Sequence, residues 1–133
     1  MTDLAGALGV AGSVDFVGQR TDTDTLLSQS SIVLATAPDE PFGLSVVEAM
    51  AHGVPVVAAD GGAHRETVGD AELLFPTDDA AAGARVLVRL SEDQALRRQL
   101  GDHLRRRQQR MFSLGPHLDR LEHLYREVIA ESI

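Results

Sequence analysis

Ile-Val-Leu-Ala-Thr-Ala-Pro-Asp-Glu-Pro-Phe-Gly-Leu-Ser-Val-Val-Glu-Ala-Met-Ala-His-Gly-Val-Pro-Val-Val-Ala, residues 32–58, decides how the rest of the chain is read. A short apolar run (32–35) gives way to a polar loop with two prolines and a glycine, then to an amphipathic stretch closed by Gly53, then to a second apolar run (54–58). That order predicts strand, loop, helix and strand. A helix that starts just past the end of a buried strand holds its free N–H groups at the C-terminal edge of a parallel sheet, where open α/β folds bind anionic ligands. Two carboxylates punctuate the stretch, Glu40 in the loop and Glu48 in the helix. The site is expected here.

Working outward, 133 residues of 44% apolar composition suit a single domain with an ordinary core. The absence of cysteine excludes disulfides, thiolate metal sites and cysteine nucleophiles. No apolar stretch approaches the roughly eighteen residues needed to span a bilayer, and no signal-peptide pattern opens the chain, so a cytoplasmic location is expected. Residues 1–90 carry thirteen acidic and four basic side chains, whereas 91–133 carry seven and eight, within a net charge of −8. The acidic first part argues against nucleic-acid binding. All twelve basic residues are arginine.

In chain order, Met1 to Leu8 reads as the end of a helix with Gly9 past its C-terminus. Val14 to Gly18 alternates like a strand, and Asp22 or Thr23 caps a short helix to about Ser28. Beyond the central stretch, Asp60-Gly61-Gly62 is a turn and Ala63 to Val68 a short helix ended by Gly69. Leu73 to Phe75 is the last strand, stopped by Pro76. Thr77 or Asp78 is expected to cap a helix reaching about Leu90. A further helix runs from Gln94 to about Arg110, and Gly115-Pro116 is expected to break the chain before a closing helix. Strands that alternate poorly, interleaved with helices, predict an α/β fold with a doubly wound parallel sheet, Rossmann-like, with additional C-terminal helices.

The segment Glu40 to Val57 resembles the donor-binding motif of retaining GT-B glycosyltransferases, two glutamates separated by seven residues with Phe-Gly after the first. Val14 to Gly18, Val68 to Phe75, Phe112-Ser113 and Leu124-Tyr125 are similar in order and spacing to the same family's C-terminal domain. The resemblance implies the C-terminal half of a GT-B fold. Residues 1–133 would then be one donor-binding domain, lacking its first strand and the N-terminal acceptor domain. It also implies a nucleotide-diphosphate sugar as donor substrate, with no cofactor and no metal.

On that reading Phe42, Gly43 and Leu44 lie at the helix N-terminus against the diphosphate, and Gly43 lets the ligand approach the backbone. Glu40 accepts hydrogen bonds from sugar hydroxyls, and Glu48 binds both ribose hydroxyls. The resemblance places the nucleobase on Gly18, Gln19 and Arg20 and the sugar near Gly61, Gly62 and His64. No catalytic residue is assigned within the chain. His52 is expected to be structural, and His103, His117 and His123 to lie on the surface. Arg97, Arg98, Arg105, Arg106, Arg107 and Arg110 suggest a peripheral membrane contact of the intact enzyme, against the simpler reading of a solvated helix face.

The chain departs from the family in lacking any lysine to grip the diphosphate and in placing Arg65 before Glu66, where many relatives have proline. Two other classes compete. One is a nucleotide-sugar epimerase-like domain. The other is a non-catalytic interaction module, which would dimerise through an exposed sheet edge.

Overall fold

Glycines in the left-handed region punctuate this chain, and three of them, Gly9, Gly53 and Gly69, stand just past the end of a helix. The computed structural model describes residues 2–131. Helix α1 (Thr2–Ala7) ends at Gly9, φ 70°, where the Val10 N–H reaches Ala5 O and the Gly9 N–H reaches Gly6 O. The same paired closure ends the central helix at Gly53. Met1, read as part of the first helix, lies outside the described residues.

The described residues form seven α-helices and three strands. After α1 come α2 (Thr23–Gln29), β1 (Val33–Ala35), α3 (Leu44–Ala51), β2 (Val56–Ala59), α4 (His64–Val68) and β3 (Leu74–Phe75). Three longer helices close the chain, α5 (Ala80–Glu92), α6 (Gln94–Met111) and α7 (Leu114–Glu131). The expected strand at Val14 to Gly18 does not form. Val14 is extended, yet the segment joins no ladder among the described residues, and Val14, Phe16 and Val17 stay exposed. Alternation makes a backbone strand-compatible, but the ladder needs a neighbour.

The sheet runs β1-β2-β3, all parallel, with Val33 opposite Val56, Leu34 opposite Val57, Ala58 opposite Leu74 and Ala59 opposite Phe75. Paired residues share a face, so Leu34, Val57, Ala59 and Phe75 point one way while Val33, Ala35, Val56, Ala58 and Leu74 point the other. Both faces of β2 are fully buried, which explains why its sequence does not alternate. Right-handed crossovers place α3 and α4 together on one face. Helix α5 covers the other, where Gly83 leaves room for the Phe75 ring; a Cβ at 83 would lie 3.2 Å from it. This is a doubly wound, Rossmann-like α/β arrangement.

Helix α6 packs on α3. Gly101 makes that approach possible, since a Cβ there would sit 2.0 Å from Gly53 O, and Leu100 and Leu104 fill the space beside it. Arg105 lies near Gly53. Helix α7 extends beyond this packing, leaving Leu114, Leu118, Leu124 and Tyr125 exposed.

Two boundaries differ from expectation. Asp79, not Thr77 or Asp78, caps α5, its Oδ1 accepting the Ala82 N–H at 2.8 Å. The Asp79 N–H itself bonds to Pro76 O, so a turn uses up the two residues before it. Gly115 and Pro116 do not break the chain but lie in the first turn of α7, where a missing proline N–H costs no helical bond. The break falls at Phe112 and Ser113. Asp93 caps α6 through the Leu96 N–H at 2.8 Å. Asp93→Ala is expected to cost about 1 kcal/mol, read as a lower urea midpoint with unchanged slope.

The basic run divides in two. Arg97 is folded onto the carbonyls of Leu90 and Ser91 at the end of α5, and Arg107 onto α4. These two guanidiniums are structural, which removes them from the expected membrane-facing set. His52 bonds Asp24 on α2 at 3.1 Å, as its structural reading requires, and His103, His117 and His123 are exposed.

Candidate functional site

The loop from Thr36 to Gly43 carries the chain from the end of β1 to the start of α3. Gly43 stands at the N-cap in the left-handed region (φ 83°, ψ 52°), a conformation that a side chain would strain. A Cβ there would touch Glu40 Cγ and His64 Cδ2, both at 3.5 Å. A glycine cap offers no side-chain acceptor, so Glu40 supplies one. Its Oε1 accepts the Gly43 N–H at 2.9 Å. A carboxylate on the positive end of the helix shows that this N–H takes an oxyanion.

Glu40 is half-buried in this position, and Phe42 and Leu44 flank it with exposed apolar side chains. Glu48 lies in the second turn of α3, on the exposed face between buried Val47 and Ala49. Its Cα is about 6 Å further along the axis than that of Leu44. Glu40 thus lies at the N-terminus of α3 and Glu48 near its middle.

The glycine turn after β2 packs directly on this loop. A Cβ on Gly61 would sit 1.9 Å from Pro38 O, and one on Gly62, φ 53°, 2.4 Å from Glu40 O. The Ala63 N–H closes the contact on Glu40 O at 2.7 Å. The two segments singled out separately in the sequence, 40–44 and 61–64, are therefore one unit.

His64 lies beneath them, 1% exposed, its Nδ1 donating to Ala59 O at 2.9 Å. It supports the loop with its Cδ2 edge under Gly43. Arg65 opens α4 without disturbing it. Its guanidinium is paired with Asp60 and holds that carboxyl below the ordinary range, chiefly through their hydrogen bond. A depressed carboxylate stabilises the fold above its unfolded value, near 3.8, and the contribution is lost as pH falls through the folded one. This surface pair is intact at neutral pH.

A second layer was not legible in the sequence. Thr67, 2% exposed, has its hydroxyl 2.9 Å from both Phe42 O and Ala63 O. Arg107 donates from Nε to Thr67 O at 3.0 Å and from Nη2 to Glu66 O at 2.5 Å. It closes the end of α4, where Gly69 stands at φ 66°. Its guanidinium also lies 6.0 Å from the Phe112 ring centre, and Phe112 meets Phe42 edge-on at 6.1 Å. The signal in the sequence was Phe112 itself, with no indication that it faces Phe42.

Gly18, Gln19 and Arg20 form an exposed turn in which Arg20 is bonded to Asp22. No described hydrogen bond joins this turn to the Glu40–Gly43 loop. At the same C-terminal edge of the sheet, a cavity of about 360 Å³ opens between Leu34 and Thr36 on one side and Thr77 and Asp78 on the other. Thr77, which lines it, has its Cγ2 3.1 Å from the Cβ position of Gly61. No helix of the described residues is long and apolar enough to cross a membrane.

Fold and loop together define a Rossmann-like domain with an anion-accepting helix end beside a glycine turn. Residues 1–107 match the family described as Glycosyl transferases group 1, and the chain belongs to it. It is 41% identical over 93 residues to a phosphatidyl-myo-inositol mannosyltransferase of Mycolicibacterium smegmatis, covering 66% of this chain and 24% of that protein. A D-inositol 3-phosphate glycosyltransferase of Salinispora tropica is 35% identical over 135 residues, covering 98% of this chain and 28% of the relative. Among solved structures, the sucrose-phosphate synthase of Thermosynechococcus elongatus superposes with a TM-score of 0.86 at 34% identity, over 97% of this chain and 33% of that one. The chain spans about a quarter to a third of the length of these proteins. The Rossmann-like half of a GT-B fold expected from the motif is the fold found.

Proposed function

We propose that this chain supplies the nucleotide-sugar site of a glycosyltransferase whose complete form moves a hexose from a nucleotide diphosphate to an acceptor hydroxyl with retention of configuration. The single observation that carries the reading is the Gly43 N–H, free of any intrahelical partner and holding a carboxylate oxygen at 2.9 Å. A diphosphate oxygen has the same charge and the same hydrogen-bonding capacity. In this reading the donor's diphosphate displaces Glu40 from Gly43, and the released carboxylate turns to the sugar hydroxyls. Glu48, one turn further along α3, binds the ribose.

Within this chain, charge on the diphosphate is met by backbone N–H groups and the helix dipole. Phe42 and Leu44 offer apolar cover on either side. The acceptor and the remainder of the cleft belong to the rest of the protein.

The test is a calorimetric and thermal-shift panel of UDP, GDP and ADP with the matching nucleotide sugars. A ligand that binds the native state raises its apparent stability, by about 2.7 kcal/mol at a hundredfold excess over Kd. One nucleotide is expected to stand out and so identify the base. If no member of the panel shifts the transition or releases heat at millimolar concentration, the chain does not hold a donor site by itself.

A further inference from the structure

We propose that Arg107 is the positioning residue of the Glu40–Gly43 loop, setting the geometry with which that loop meets its ligand. The inference rests on the reading of this loop as the donor site. Two independent routes lead from Arg107 to the same residue, Phe42. Along the first, the guanidinium binds the Thr67 carbonyl, and the Thr67 hydroxyl is within hydrogen-bond reach of the Phe42 carbonyl. Along the second, the guanidinium lies over the Phe112 ring, whose edge-on contact holds the Phe42 ring. Backbone and side chain of Phe42 are thus held from opposite directions by groups that share one cation.

The next residue after Phe42 is Gly43, whose left-handed φ aims the site's N–H. Turning the Phe42–Gly43 peptide plane, through ψ at Phe42 and φ at Gly43, would re-aim it, and the φ of a glycine offers little resistance to such a turn. Beside the Glu40 bond to this N–H, restraint therefore comes through Phe42. Arginine suits this task because one planar group can donate two hydrogen bonds in its plane and stack through its face. The Cβ position of Gly69 lies 2.4 Å from the Arg107 Cζ, so only a glycine at 69 admits the guanidinium in this pose. Arg107 is reached from a helix 41 residues beyond Glu66, which makes the loop's geometry depend on how α6 docks.

The test compares Arg107→Ala with Arg97→Ala. Arg97 binds the carbonyls at the end of α5 in a related way, but it has no contact with the loop, so it controls for the loss of a helix-end arginine. Amide hydrogen exchange at Gly43 is measured against Val57 in the sheet, so that overall destabilisation cancels in the ratio. Arg107→Ala is expected to raise the Gly43-to-Val57 exchange ratio about tenfold, the equivalent of losing one charge-assisted hydrogen bond. Arg97→Ala is expected to leave it unchanged.

Affinity for the nucleotide that the wild type binds should fall about tenfold in Arg107→Ala and less than about twofold in Arg97→Ala. Equal ratios in the two variants, or full affinity in Arg107→Ala, overturn the proposal. If the wild type binds no nucleotide, the donor-site reading falls while the exchange ratio still decides whether Arg107 positions the loop. Should Arg107→Ala not fold, Arg107→Lys serves, since it keeps the charge and loses the planar fork. Its expected change is in the same direction at about a third of the size, and an unchanged ratio there overturns the proposal as well.

Discussion

Gly61→Ala is expected to lose about 3 kcal/mol of stability or more, and nucleotide binding with it. The added methyl would stand 1.9 Å from Pro38 O and 2.9 Å from Pro38 C, both backbone atoms that no rotamer change can move. Relief requires the loop after β1 to separate from the turn after β2. That separation breaks the bond from Ala63 N–H to Glu40 O and frees the loop that holds Glu40 on Gly43. A domain of this size has about 5–15 kcal/mol to lose, so the variant is expected to fold with a much lower urea midpoint and without its site. Gly115→Ala is the matched control. Nothing lies within 4 Å of its Cβ position and it sits in a helix, so alanine there is expected to be neutral or to stabilise by about 1 kcal/mol or less. An unchanged midpoint together with intact nucleotide affinity in Gly61→Ala would show that the two loops do not form one unit.

The course of the chain from β1 to β3 was legible because each decision in it is local. Apolar runs too short for helices mark β1 and β2, and Gly53 and Gly69 announce helix ends through a conformation that other residues avoid. The Glu40 to Glu48 spacing could likewise be read directly, since one loop and one helix carry both residues. What could not be read depends on contacts made across long intervals. Val14 to Gly18 has the alternation of a strand and stays unpaired, because pairing is a property of two segments. Arg107 looked like one more charge on a basic helix, and only the folded chain shows it closing α4. Asp79 lost to Thr77 and Asp78 as the expected cap of α5 because the Pro76 turn shifts the helix start, a displacement of one or two residues that composition does not reveal. Arg65, a departure from the proline of many relatives, stands as the second residue of α4 and pairs with Asp60, a contact across the glycine turn that the sequence did not indicate.

The two glutamates are expected to respond differently to neutralisation, and the difference separates their roles. If Glu48 binds the ribose as proposed, Glu48→Ala removes both carboxylate oxygens from it, and nucleoside diphosphate and nucleotide sugar should weaken together, by about a hundredfold for two charge-assisted hydrogen bonds. Glu48 is exposed on α3 and makes no ion pair among the described residues, so the variant should keep its stability to within about 0.5 kcal/mol. Glu40→Gln should split the ligands. The Glu40 carboxylate occupies the Gly43 N–H, which on the proposed reading the diphosphate takes over, and its charge opposes that of the incoming ligand. Glutamine keeps the shape without the charge, so nucleoside diphosphate is expected to bind about threefold to tenfold more tightly. The nucleotide sugar gains the same relief and loses a charged acceptor for its hydroxyls, and the net is expected to be about tenfold weaker binding. The measurement is a pair of calorimetric titrations for each variant with one nucleotide and its sugar. Parallel changes for the two ligands in Glu40→Gln would mean that Glu40 does not face the sugar. It would then be a helix cap and nothing more, and the selection of the sugar would have to come from the glycine turn at Gly61 and Gly62.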